Sequence, residues 1–108
     1  MEDFVTVAQL NDIGPGEMKL VDVENEEIVL ANLGGNLVAF SNACPHAACD
    51  MIEGNLDTAT GEIECDCHGS RFNALTGQVL SPPALTPLVI YEVKIDGDSV
   101  LLGPQKTT

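Results

Sequence analysis

Short runs in which apolar and polar side chains alternate occupy both ends of this chain. FVTVA at 4–8, MKLVDV at 18–23 and EIVLANL at 27–33 have the two-residue period of an extended backbone with one face buried. The pair Gly34-Gly35 separates the third run from NLVAFS at 36–41 and predicts a hairpin. Towards the other end, LVIYEVKI at 88–95 and SVLLG at 99–103 flank Asp96-Gly97-Asp98, a second hairpin signal. Ile13-Gly14-Pro15-Gly16 is turn chemistry, and the QLND before it suits one helical turn. No segment sustains the i, i+3, i+4, i+7 spacing of an amphipathic helix. The expected fold is all-β, a small antiparallel sandwich or barrel-like arrangement of short strands.

The stretch 42–83 breaks this rhythm. It holds all four cysteines, both histidines and the turn formers Gly54-Asn55, Thr60-Gly61, Thr76-Gly77 and Pro82-Pro83. A loop-rich insertion on a rigid β base is the arrangement expected when loops carry function. With 108 residues the chain fits one domain. Its base is expected at about 1–41 and 84–108, with the inserted subdomain at about 42–83.

Composition adds order and a partner class. Hydrophobic residues make up 44% of the chain and mean hydropathy is +0.14, which favours a packed core over disorder. No apolar run approaches a membrane span, and the acidic start MEDFVTVAQL lacks the basic and apolar regions of a secretory signal, so a soluble cytoplasmic protein without membrane insertion is expected. Seventeen Asp and Glu face four Lys and Arg, for a net charge of −13. Such a surface repels nucleic-acid phosphates and attracts basic proteins over a distance. Solubility alone, or adaptation to high salt, is the plainer reading of the same charge. A monomer is the default oligomeric state.

Chemistry concentrates in two short motifs, Cys44-x-His46 and Cys65-x-x-His68, with eighteen residues between His46 and Cys65. Each offers one thiolate and one imidazole. Structural zinc prefers paired cysteines and paired histidines, whereas each arm here pairs unlike ligands. A disulfide scaffold would leave the histidines unexplained, and a Cys/His nucleophile would need only one of each. A [2Fe-2S] cluster with two cysteines on one iron and two histidines on the other fits best, with zinc as the competing metal.

CPH at 44–46, CDCHGSRF at 65–72 and TGQVLSPPA at 76–84 together resemble the Rieske iron–sulfur family, over nearly the whole chain. VAQLNDIGPGEMKLVDV resembles the opening of the soluble Rieske-type ferredoxins, and Pro82-Pro83-Ala84 the proline-rich loop that covers the cluster. The resemblance implies that Cys44 and Cys65 ligate the inner iron and His46 and His68 the outer one. Neutral imidazoles in place of two thiolates leave the cluster less negative, so it accepts an electron at about −150 to +300 mV, against about −400 mV for all-cysteine plant-type clusters. It also implies a Cys49–Cys67 disulfide, as in the Rieske proteins of cytochrome complexes. That assigns different roles to the neighbouring thiols of CDC: Cys65 for metal, Cys67 for a clamp. Two small thiols that never oxidise are the alternative.

Ser70 matches a position whose hydroxyl donates to a cluster sulfide in high-potential members, and a plain turn residue is the bland alternative. Phe72 stands where those members carry a tyrosine, so one donor is lost. Ala47 and Ala48 replace a leucine and a glycine, leaving the histidine side less shielded. A middling potential follows. Gly69 suits a tight turn near the cluster, while Arg71 could dock an acidic group or be a solvated arginine.

Every ligand position is filled by protein and no catalytic motif is present, so the expected function is one-electron transfer rather than catalysis. The leading expectation is a Rieske-type ferredoxin between a reductase and a terminal oxygenase or similar enzyme, with basic docking surfaces on its partners. The alternatives are a Rieske subunit of a respiratory or anaerobic oxidoreductase complex and, more remotely, a zinc-bound structural module.

Overall fold

In the computed structural model, which describes residues 3–45, 49–67, 69–82 and 86–106, the alternating runs become strands of one antiparallel sheet. They are β1 (Val5–Gln9), β2 (Met18–Val23), β3 (Glu26–Asn32) and β4 (Leu37–Ser41). Four three-residue strands follow: β5 (Asn55–Asp57), β6 (Glu62–Glu64), β7 (Arg71–Asn73) and β8 (Val79–Ser81). The chain then returns to the first sheet through β9 (Ile90–Asp96) and β10 (Ser99–Gln105). The larger sheet has the order β1-β10-β9-β4-β3-β2, and the smaller runs β5-β6-β7-β8. The expected single helical turn is a 3-10 turn at Leu10–Asp12, and a second such turn, Met51–Glu53, precedes β5. Among the described residues no helix is long and apolar enough to cross a membrane.

The third run departs from simple alternation, and the reason is its place. Residues 28–32 of β3 are all buried, because this strand lies between two cores. Val29 and Ala31 face one core with Val38, Phe40, Ile63 and Phe72. Ile28 and Leu30 face the other with Ala8, Ile13, Tyr91, Val100 and Leu102. A strand covered on both faces reads as a continuous apolar stretch, here Ile28-Val29-Leu30-Ala31. The second core also gathers Val7 from β1 and Val21 and Val23 from β2. The larger sheet therefore curls until its two edge strands share one interior. Asn32 closes the seam: its Nδ2 donates to the Ile13 carbonyl at 2.8 Å, while its backbone pairs with Gly16 and Glu17.

The first core joins the two sheets. Phe40 from the large sheet and Phe72 from the small one are fully buried together, each worth about 1.5–3 kcal/mol relative to exposure. This interface carries Cys44 and Cys65 as well.

Candidate metal centre

Two loops of the same construction leave this core. In the first, Ala43 bridges Asp50 and the Cys44 N–H donates to the Cys49 carbonyl at 3.1 Å. Four residues, Pro45 to Ala48, remain between the paired feet. In the second, Glu64 pairs with Arg71 across β6 and β7, and the Cys65 N–H donates to the Ser70 carbonyl at 2.8 Å. Again four residues lie between. Each loop thus starts on a cysteine held at its foot by a backbone bond. Both starting cysteines are buried, Cys44 at 5% exposure and Cys65 at 2%.

The turn in the second loop needs Gly69, which has φ +79, a conformation that side chains resist. Its N–H donates back to the Cys65 carbonyl at 3.1 Å. Cys49 and Cys67 form a disulfide across the two loops, with Cα atoms 6.4 Å apart. Cys44 and Cys65 stand outside it. Within the CDC triplet, Cys67 is exposed and forms the disulfide that the resemblance implies, and Cys65 is buried in the core. His46 and His68, with Ala47 and Ala48, lie outside the described residues. So do Pro83 and Ala84, whereas Pro82 is an exposed turn residue.

Ser70 is fully buried, a setting that a plain surface turn would not supply. Phe72 is buried two residues further on, against Ile63 on β6 and Val79 on β8. Arg71 points away from the core and is held by its own sheet. Its Nη1 donates to Glu62 at 3.0 Å and its Nε to Glu64 at 3.3 Å. The hydrogen bond to Glu62 and the charge of Glu64 raise its pKa above the usual guanidinium value. A guanidinium paired with two carboxylates is poorly placed to recruit a third.

One residue that holds the site was not apparent in the sequence. Asn42 is buried, and three of its groups fix both ends of the first loop. Its carbonyl accepts from the Met51 N–H at 2.7 Å, its Oδ1 accepts from the Ile52 N–H at 2.9 Å, and its Nδ2 donates to Glu27 at 3.2 Å. The signal available was a polar side chain just past the end of an apolar strand, two residues before Cys44.

The donor set fits the sulfur half of a [2Fe-2S] site. Two thiols sit at the feet of paired loops in a low-dielectric core, while the other two sulfurs are bonded to each other and cannot act as thiolates. Phe72, Ile63 and Met51 pack in the same core and keep water from its inner side.

Comparison with known proteins gives the same direction. The model of the Rieske [2Fe-2S] domain family matches residues 3–92. The cytochrome b6-f complex iron-sulfur subunit of Chlorobaculum thiosulfatiphilum is 32% identical over 94% of this chain, which spans only 54% of that protein. The ferredoxin component of the naphthalene 1,2-dioxygenase system of Pseudomonas aeruginosa is 35% identical, covering 94% of this chain and 95% of that one. Among solved structures, a complex of reduced oxygenase and oxidised ferredoxin in carbazole 1,9a-dioxygenase contains a chain that superimposes with a TM-score of 0.90. That chain is 29% identical, with both chains fully covered.

Proposed function

The chain belongs to the Rieske [2Fe-2S] domain family, and from that premise we propose that Cys44, His46, Cys65 and His68 hold its cluster and that the protein shuttles single electrons to an oxygenase. Such a cluster supplies one-electron uptake and release without bond making at a substrate. The chain's own residues do the rest. The paired loop feet position the two cysteines, and the disulfide ties the loops together. The apolar floor of Phe72, Ile63 and Met51 shuts water out from the inner side. The observation that carries this reading is the separation of four cysteines into one cross-loop disulfide and two buried thiols at equivalent loop positions.

The protein is read as a soluble, cytoplasmic, monomeric carrier that takes electrons from a reductase and docks on partners with basic surfaces. Its cluster-binding part is read as residues 42–83, mounted on 1–41 and 84–108. The near-complete overlap with the naphthalene dioxygenase ferredoxin supports this reading. The disulfide and the cytochrome b6-f relative favour a second reading, a Rieske subunit of a respiratory or anaerobic oxidoreductase complex. A redox titration followed by EPR separates the two: a midpoint in the lower half of about −150 to +300 mV supports the ferredoxin, and one near the top supports the respiratory subunit. Iron and acid-labile sulfide should be present in equal amounts. A colourless protein with zinc instead would end both readings.

A further inference from the structure

The sulfurs of Cys49, Cys65 and Cys67 lie within 4.8 Å of one another. One of these three belongs to a thiol that the proposed function assigns to iron, and the other two to the disulfide beside it. A thiolate next to a disulfide is the arrangement for thiol–disulfide exchange. We propose that Cys65, when no iron holds it, exchanges into the neighbouring disulfide, so that cluster binding and the pairing of the cysteines govern each other.

The direction follows from burial. Cys67 is exposed and Cys49 is half-buried. Attack by the Cys65 sulfur on Cys49 expels Cys67, whose sulfur departs with the electron pair into water. Attack on Cys67 would leave the negative charge on the less exposed Cys49 and close a disulfide across a single residue. The Cys65–Cys49 bond forms, the Cys49–Cys67 bond breaks, and the proton released by Cys65 ends on Cys67 or in solvent. No oxidant or reductant is consumed. The new bond still joins the two loops, so the small sheet keeps its clamp while a metal-binding thiol is lost.

Two pairings of the same oxidation state therefore compete. Iron binds only the one that leaves Cys65 as a thiolate, and it selects that pairing by mass action. The disulfide acts as a gate on assembly: a chain that has exchanged accepts no cluster until Cys67 attacks Cys49 and frees Cys65 again.

This rests on the assignment of Cys65 to iron, and the experiment keeps the two apart. The loaded protein and protein stripped with a chelator at neutral pH, without thiol reductant, are alkylated, acid-quenched and mapped by peptide mass spectrometry. The loaded protein should show the Cys49–Cys67 cross-link and an unlabelled Cys65. The stripped protein should gain one alkyl group on Cys67 and a Cys49–Cys65 cross-link. Reloading with iron and sulfide should lag behind Cys49→Ser, which has no exchange to reverse, and a dithiol should remove the lag. Alkylation of Cys65 in the loaded protein overturns its assignment to iron and the gate with it. An intact Cys49–Cys67 bond after stripping, comparable cross-links through Cys44, or equal reloading by both proteins overturns the exchange alone.

Discussion

Tyr91 is the chain's single tyrosine, and it shows how one side chain can report on the whole fold. Burial, then the hydrogen bond to Glu26 at 2.7 Å, pushes its pKa up to about 12. Between pH 10 and about 12 the unfolded chain loses the phenol proton while the folded chain keeps it. Stability is thus intact below that window and falls as pH rises through it. Urea unfolding at stepped alkaline pH should show this decline in the native chain and its loss in Tyr91→Phe. The cysteines carry a sharper test. Cys65→Ser should abolish normal cluster assembly, whereas Cys49→Ser should assemble a cluster that is lost faster on heating, both read from visible absorbance. Equal loss in the two variants would mean that the thiols are partitioned wrongly. Ser70→Ala should lower the midpoint potential, since a hydroxyl that donates to a cluster sulfide stabilises the more negative reduced state.

The strands and turns were legible in proportion to their length. β2 occupies the same six residues, Met18–Val23, that alternation marks. β9 begins at Ile90, two residues after the apolar run does, because Leu88 and Val89 are bonded sideways. The Leu88 N–H donates to Gly77, and the Val89 carbonyl accepts from Ser41. β10 runs past Pro104 to Gln105, and the register shift between Leu102 and Gln105 accommodates the missing N–H. The turn between β2 and β3 uses positive φ at Glu24 and Asn25, the geometry of a two-residue hairpin; glutamate is an unusual occupant, which hid the signal. β5 to β8, at three residues each, are too short for any periodicity to register. Two changes test how these pieces join. Gly77 has φ +81, and a Cβ there would overlap the Leu88 carbonyl oxygen. Gly77→Ala should therefore cost more than about 1 kcal/mol in denaturant unfolding. Asn42→Ala strands the Ile52 N–H and should cost about 1–3 kcal/mol, with faster cluster loss because both ends of the first loop loosen.

At the level of the molecule, a charge of −13 on 108 residues dominates every long-range encounter. If the proposed redox partners present basic surfaces, association should be fast at low salt. Raising ionic strength from 0.01 to 0.15 M shortens the screening length from about 30 to about 8 Å. The second-order electron-transfer rate, measured by stopped flow, should then fall by about tenfold or more. A rate that ignores salt would leave solubility as the explanation of the acidic surface.

Residue order alone settled the β class and the two outer hairpins, because alternation and turn chemistry are local properties, whereas the Cys49–Cys67 pairing came from the family resemblance. It could not show that β3 is buried on both faces, that Asn42 ties down the first loop, or that Cys65 lies beside the disulfide. Those depend on segments distant in the chain packing into one interior, where a contact is decided by how the sheets curl and meet.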